Sequence, residues 1–276
     1  MEYESFHSII LEAAEKGDLK KFKHVVEETK ENLKKIRKTN SALALDAAAN
    51  FHGGLMKQAP LHVACSHGRI EIVKYLLEKD VITDIQDVDG AQPLHCAANN
   101  GHVEVVKLLL SKGANPIIRE SQADDTPLHW ACVKGHLEVV KVLLTAMTPM
   151  MQDAVNHPNK VGMTPLHFAA GTGQVEIVEY LCNEKANVNK QDKDGNTPLH
   201  LACANLHLNV ADLLVTKYHP QLDIKNTEGK LAEEMNDIYT DSIKSVLYQE
   251  QKAAGGDGKD ELKKSMIGSI LGSTMG

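Results

Sequence analysis

Along the chain, short apolar runs alternate with polar breaks at a helical period rather than the period of two that marks strands. Runs such as Ile70-Glu71-Ile72-Val73-Lys74-Tyr75-Leu76-Leu77 and Val103-Glu104-Val105-Val106-Lys107-Leu108-Leu109-Leu110 set apolar residues three and four apart, so each predicts a helix with one buried face. Leu137, Val140, Val142, Leu143 and Leu144 repeat the spacing. Ahead of these runs stands a shorter stretch that opens on Pro-Leu-His and carries small residues, among them Ala97-Ala98 and Ala169-Ala170. Proline suits a first helical position because it has no amide hydrogen to lose. The hydroxyls of Thr126, Thr164 and Thr197, just before it, are placed to cap the first orphan amides. Gly68, Gly101, Gly135 and Gly173 supply the left-handed residue that ends the short helix. A stretch such as Asp192-Lys193-Asp194-Gly195-Asn196 then turns the chain back.

This helix–turn–helix–hairpin unit recurs. Its proline stands at Pro60, Pro93, Pro127, Pro165 and Pro198, at spacings of 33, 34, 38 and 33 residues. Thr126-Pro127-Leu128-His129-Trp130-Ala131, Thr164-Pro165-Leu166-His167-Phe168-Ala169 and Thr197-Pro198-Leu199-His200-Leu201-Ala202 match the T-P-L-H-x-A signature in full. Ala59 and Gln92 replace the threonine in the first two units. The chain thus resembles the ankyrin repeat family, and the resemblance implies an all-α, helical-repeat solenoid with hairpin loops. Ala13-Ala14-Glu15-Lys16-Gly17-Asp18-Leu19, followed by Phe22, Val25 and Val26, is a weaker version of the unit, and 229–247 is a degenerate last one. Terminal units must close off an apolar face, so atypical polar versions are expected there. The expected layout is seven helix pairs: a capping pair at 1–28, an inserted basic and helical segment at 29–58, five repeats at 59–219, a degenerate cap at 220–250 and a flexible tail at 251–276.

Departures from the unit carry the individuality. Lys30, Lys34, Lys35, Arg37 and Lys38 suggest that the second helix of the first pair runs on as a basic extension, followed by an apolar helical piece around Ala42, Leu43, Leu45, Ala47 and Ala48. The longest unit holds extra residues around Met147-Thr148-Pro149-Met150-Met151, either an adaptable contact loop or a loop packed on its own repeat. Leu206 stands where the other units have glycine, so its turn is either remodelled or strained by about 1–2 kcal/mol.

Composition narrows the function. The chain has 276 residues, 42% hydrophobic, 24% charged and only 4% aromatic, which fits packed helices of Leu, Val, Ile and Ala. The formal net charge of −7 disfavours a general nucleic-acid binder. Five cysteines without short paired spacings are no disulfide framework, and the start Met1-Glu2-Tyr3-Glu4 lacks the basic and apolar regions of a signal peptide. The expected location is therefore the cytoplasm, with the nucleus as the alternative.

Fourteen histidines invite a metal or catalytic reading. The repeat absorbs most of them: His62, His95, His129, His167 and His200 belong to Pro-Leu-His, and His102, His136 and His207 follow the glycine position. The resemblance implies that the first set bridges neighbouring hairpins by hydrogen bonds. The pairs His62–Cys65, His129–Cys132 and His200–Cys203 have a chelating spacing, but each offers two ligands where zinc needs three or four. No phosphate loop, nucleophile elbow or HxxEH-type signature is present, so neither catalysis nor a cofactor is expected.

The expected activity is that of a monomeric, non-catalytic scaffold or adaptor for another protein, as the resemblance implies. A stack of such units curves, and its concave side presents hairpin tips and first-helix surfaces. Candidate contact residues there are Val88, Asp89, Asn99 and Asn100 in the second unit, and Asp124, Asp125, Trp130 and Lys134 in the third. Lys160, Val161, Met163 and Phe168 follow in the fourth, and Lys193 and Asn196 in the fifth. Trp130 is the only tryptophan, a residue type that often dominates interface energy. The competing reading is a tether to a membrane surface or nucleic acid through 20–38, where eight Lys or Arg face three Glu. A regulatory subunit of an enzyme is a third. The resemblance also makes Asn189 a candidate for asparaginyl hydroxylation.

Overall fold

A computed structural model describes residues 2–37, 58–79, 81–147, 153–236, 240 and 244. The described residues form twelve α-helices and no strand, an all-α repeat solenoid. The first pair is α1 (Glu2–Lys16) and α2 (Leu19–Arg37). The five repeats follow as α3 (Pro60–Ser66) and α4 (Ile70–Leu77), α5 (Pro93–Asn99) and α6 (Val103–Ser111), α7 (Pro127–Lys134) and α8 (Leu137–Met147), α9 (Pro165–Gly171) and α10 (Val175–Asn183), α11 (Pro198–Ala204) and α12 (Leu208–Leu213). First helices pack on first helices of the next unit and second on second, giving two layers. The core runs unbroken between them from Ile10 to Ala232.

Helix α2 continues to Arg37, so the boundary expected at 28 falls within an uninterrupted helix. The apolar piece expected at 42–48, the loop residues 148–152 and the tail 251–276 lie outside the described residues. Met147, Ala154 and Val155 on either side of that loop are core. Of the degenerate last unit, a 3₁₀ turn at Ala232–Glu234 and helical Thr240 and Lys244 are described.

Each first helix is short because proline fixes its start and a left-handed residue its end. Its close approach to the neighbouring helices depends on small residues at the fourth and fifth positions after proline: Ala64-Cys65, Ala97-Ala98, Ala131-Cys132, Ala169-Ala170 and Ala202-Cys203 are all fully buried. Cysteine thus alternates with alanine at one packing position, as a small apolar residue. The threonine hydroxyls turn mainly to a ring rather than to an amide. Those of Thr126, Thr164 and Thr197 lie 2.7–2.8 Å from Nδ1 of the histidine three residues on, and only Thr197 also receives an amide, from His200 at 3.4 Å. The ring takes over the cap, because Nδ1 also accepts the backbone N–H of the residue before proline, at 3.1 Å in both Ala59–His62 and Thr126–His129.

Three sets of polar rungs tie unit to unit. In the first, the ring Nε2 of the Pro-Leu-His histidine donates to a carbonyl of the next hairpin: His62 to Ala91 at 3.0 Å, His95 to Asp125 at 3.1 Å, His167 to Asn196 at 3.0 Å and His200 to Lys230 at 3.3 Å. With Nδ1 already accepting, the neutral Nε2–H tautomer is the one that satisfies both ends. In the second, the residue before each second helix donates back to a carbonyl near the end of the previous first helix. Arg69 reaches Glu15 at 2.7 Å, His102 Ser66 at 2.9 Å, His136 Asn99 at 3.0 Å, Gln174 Val133 at 3.4 Å and His207 Gly171 at 3.1 Å. In the third, hairpin tips join backbone to backbone, Ser121 to Asp89 at 2.7 Å, Lys160 to Ala123 at 2.8 Å, Lys193 to Val161 at 3.0 Å and Thr227 to Asp194 at 2.9 Å.

Within each tip an Asx carboxylate or amide oxygen receives two amides, as Asp192 does from Asp194 and Asn196. The third tip has one residue more between that oxygen and the helix. It uses Glu120, one methylene longer, to gather the amides of Gln122, Ala123 and Asp125, and Asp124 takes a left-handed φ of +59°. The 34-residue spacing is absorbed there.

Leu206 keeps the turn rather than remodelling it, at φ +60°. Leu206→Gly is therefore expected to stabilise the fold by about 1 kcal/mol, the relief of a left-handed non-glycine residue; a denaturation midpoint equal to or below that of the parent would show that its half-exposed side chain earns its place by packing.

Candidate partner-binding face

The fourth residue of each Pro-Leu-His unit defines a row on the first-helix layer: Val63, Cys96, Trp130, Phe168 and Leu201. The alanines and cysteines beside it are buried, while this row, apart from Cys96, is half-buried. Its two aromatic members pack backwards along the stack. Trp130 stands edge-on to His95, ring centroids 5.1 Å apart, and Phe168 edge-on to His129 at 5.5 Å. The histidine ladder thus holds both rings by one side and leaves the other accessible. Val63 and Leu201 share this face and were not singled out from the sequence; equal distance from proline was the signal that could have found them.

The tips form the upper rim. Val88 and Val161 are 44% and 49% exposed. Lys160 and Lys193 are exposed beside them, and Lys134 is exposed at the end of α7. Several other expected contact residues have partners of their own, between units or within a tip. Asp89 receives the Gln122 side-chain amide, and Asp125 receives that of Asn159 at 2.8 Å. Asn100 donates to Ser66 Oγ at 3.2 Å, and Asn196 accepts from Asn226 at 3.0 Å. The Asn99 carbonyl takes the His136 rung, and the half-buried Met163 donates its amide to Asn159. Asp124 lies 3.4 Å from Arg119. Burial, with Glu120 and Asp124 adding to it against the Asn159 hydrogen bond, pushes the Asp125 carboxyl up to about 6.

The Pro-Leu-His histidines and the five cysteines are buried in the stack. Burial holds His95 down to about 4 and His129 to about 3, and lowers His167 and His200 too, so these rings are neutral. Burial pushes the thiols of Cys96, Cys182 and Cys203 up to about 12, and those of Cys65 and Cys132 well above the ordinary value, which makes all five poor nucleophiles and poor ligands. Among the described residues no three His, Cys, Asp or Glu side chains gather closely enough to hold a metal ion, and no helix is long and apolar enough to cross a membrane. The Asn189 side-chain oxygen accepts the Gln221 amide at 2.8 Å, and Asn156 does the same for Asn187 at 2.6 Å.

Comparison with known families gives a match to a model described as ankyrin repeats (3 copies), over residues 10–120, 61–153, 117–192 and 149–226. No curated protein matches the chain.

Proposed function

The chain belongs to the ankyrin repeat family, and from that premise we propose that it is a non-catalytic scaffold that holds a partner protein against its tips and first helices. Ankyrin repeats generally mediate protein–protein interaction. The observation that carries the proposal is the pair Trp130 and Phe168, one unit apart, each anchored along one edge by a buried histidine and half-exposed on the other. Rigid, partly buried aromatic rings bring large contact area at little entropic cost, which is the profile of residues that dominate interfaces. Val88 and Val161 extend the apolar area, and Lys160, Lys193 and Lys134 set a polar rim. The proposed setting is the cytoplasm or nucleus.

The competing tether through the basic segment has less support among the described side chains. Lys21 is 3.3 Å from the Glu12 carboxylate, and Lys23 lies over the Tyr75 ring at 5.0 Å. The side chains of Lys30, Lys34, Lys35 and Arg37 and the whole of Lys38 lie outside the described residues.

The test is capture of cellular proteins by the full chain and by Trp130→Ala/Phe168→Ala, compared by quantitative mass spectrometry. The expected result is loss of at least tenfold in a specific captured protein, at unchanged helical circular dichroism. Undiminished capture by a well-folded double variant, or capture that vanishes in moderate salt with both chains, would move the site away from this face.

A further inference from the structure

The rungs between units are not equally made, and their defects fall together. At the junction between the third and fourth Pro-Leu-His units, His129 is fully buried and its Nε2 has no hydrogen-bond partner among the described residues. It is the one ladder histidine in that state. The Met163 carbonyl, equivalent to the acceptor in the other four units, still favours its protonation but stands outside bonding geometry. At the same junction the second ladder changes chemistry. Gln174 replaces the histidine or arginine of the other units, and its bond to Val133, at 3.4 Å, is the longest of the five. A side-chain link made at two other junctions is missing here as well. Asn100 and Asn205 reach across their junctions to Ser66 and Gly171, whereas Thr172, at the corresponding place, turns its hydroxyl onto Phe168 of its own helix at 2.7 Å, as His67 turns to Val63 at 3.0 Å. The tips keep full connection there, through Lys160 to Ala123 at 2.8 Å, Asn159 to Asp125 at 2.8 Å and Arg119 to Pro158 at 3.1 Å, while in the second-helix layer Lys141 lies 5.9 Å from the Tyr180 ring centroid.

We propose that this junction is a built-in seam of the stack, closed at the tips and yielding on the helix side, and that it sets the separation of Trp130 and Phe168. In a solenoid, stability is a sum of unit and nearest-neighbour terms, so an interface short of its rungs opens first without unfolding the rest. The two aromatic rings belong to the two sides of the seam. A partner that covers both rings binds the closed form better than the open one and draws the equilibrium shut, which is linkage rather than new contact. This last step rests on the binding reading above; the seam itself does not.

The experiment is hydrogen exchange by mass spectrometry on the purified full chain, with no partner present. Amides of α7 and α9 are expected to exchange faster than those of α5 and α11. Gln174→His, which restores the residue found at three other junctions, is expected to slow exchange at α7 and α9 about fivefold, the worth of one ordinary hydrogen bond. His207→Gln, which gives the next junction the same glutamine, is expected to speed exchange at α11 by a similar factor. Equal protection of all four helices, or insensitivity to both substitutions, overturns the seam. Protection that follows these predictions while partner capture ignores Trp130 and Phe168 leaves the seam standing and rejects only its link to binding.

Discussion

Taking the purified chain from pH 7 to pH 5 is expected to cost about 3 kcal/mol of folding stability. The cause is the buried ladder. Burial holds His95 down to about 4 and His129 to about 3, against an ordinary value of 6.5. Their Nδ1 atoms already accept backbone amides, so a second ring proton would have to point at an N–H. Below 6.5 the unfolded chain therefore binds protons that the folded chain does not. Stability falls as the pH drops, by about 1.4 kcal/mol per pH unit for each ring, and continues to fall down to the folded values. Two rings over the interval from 6.5 to 5 give about 4 kcal/mol. Asp125 works in the opposite direction. Its folded value of about 6 lies above the ordinary 3.8, so it takes its proton earlier in the folded state and gains stability as the pH falls. It is part-exposed, and solvent screening keeps that gain below about 1 kcal/mol. Urea unfolding followed by circular dichroism at pH 7, 6 and 5 measures the balance. A midpoint that holds steady across the three would mean that the rings take up protons inside the fold as readily as in the unfolded chain.

Gly101→Ala is expected to destabilise the chain by about 3 kcal/mol, and Gly113→Ala by about 1 kcal/mol. Both glycines are left-handed, at φ +75° and +87°, so both substitutions carry the same backbone strain. They differ in what the new methyl meets. At Gly113 nothing lies within 4 Å, whereas at Gly101 the methyl falls 2.6 Å from Nδ1 of His136 and 3.0 Å from its Cγ. The ring must move, and its Nε2 then gives up the Asn99 carbonyl. The same contact recurs at Gly68 with His102 and at Gly173 with His207, so the glycine of one unit and the ladder residue of the next form a single device. Thermal unfolding of the two variants side by side isolates the contact from the strain. Equal losses would show that the ring moves aside freely.

The fold was legible because its punctuation is chemical. Proline at a first helical position, glycine at the left-handed stop and alanine at the tight crossing each leave one residue type as the natural choice, and they recur in register from Pro60 to Pro198. The histidines were legible as a structural set for the same reason. Less was readable where side chains choose between partners. Nothing in Thr126-Pro127-Leu128-His129 says that the hydroxyl will turn to the ring rather than to an amide, since both lie three residues on. The extra residue of the 34-residue unit was countable, but that Glu120 absorbs it depends on a reach of one methylene. The candidate face was read only in part. Variation among units marks residues freed from the repeat, yet Asp125, Asn100 and Asn196 staple particular neighbours, while Val88 and Val161 are left uncovered by the described residues.

Glu234 occupies the place of the ladder histidine in the unit that follows Pro198. Its carboxylate receives the Leu231 amide at 2.8 Å, as Nδ1 does elsewhere. It has no second ring nitrogen with a hydrogen to hand onward. Grafting another consensus module behind this point would leave a hairpin carbonyl with no donor, whatever the shape of the added piece. Lengthening the array thus begins with Glu234→His, and concatemers built without that exchange are expected to fray at the joint.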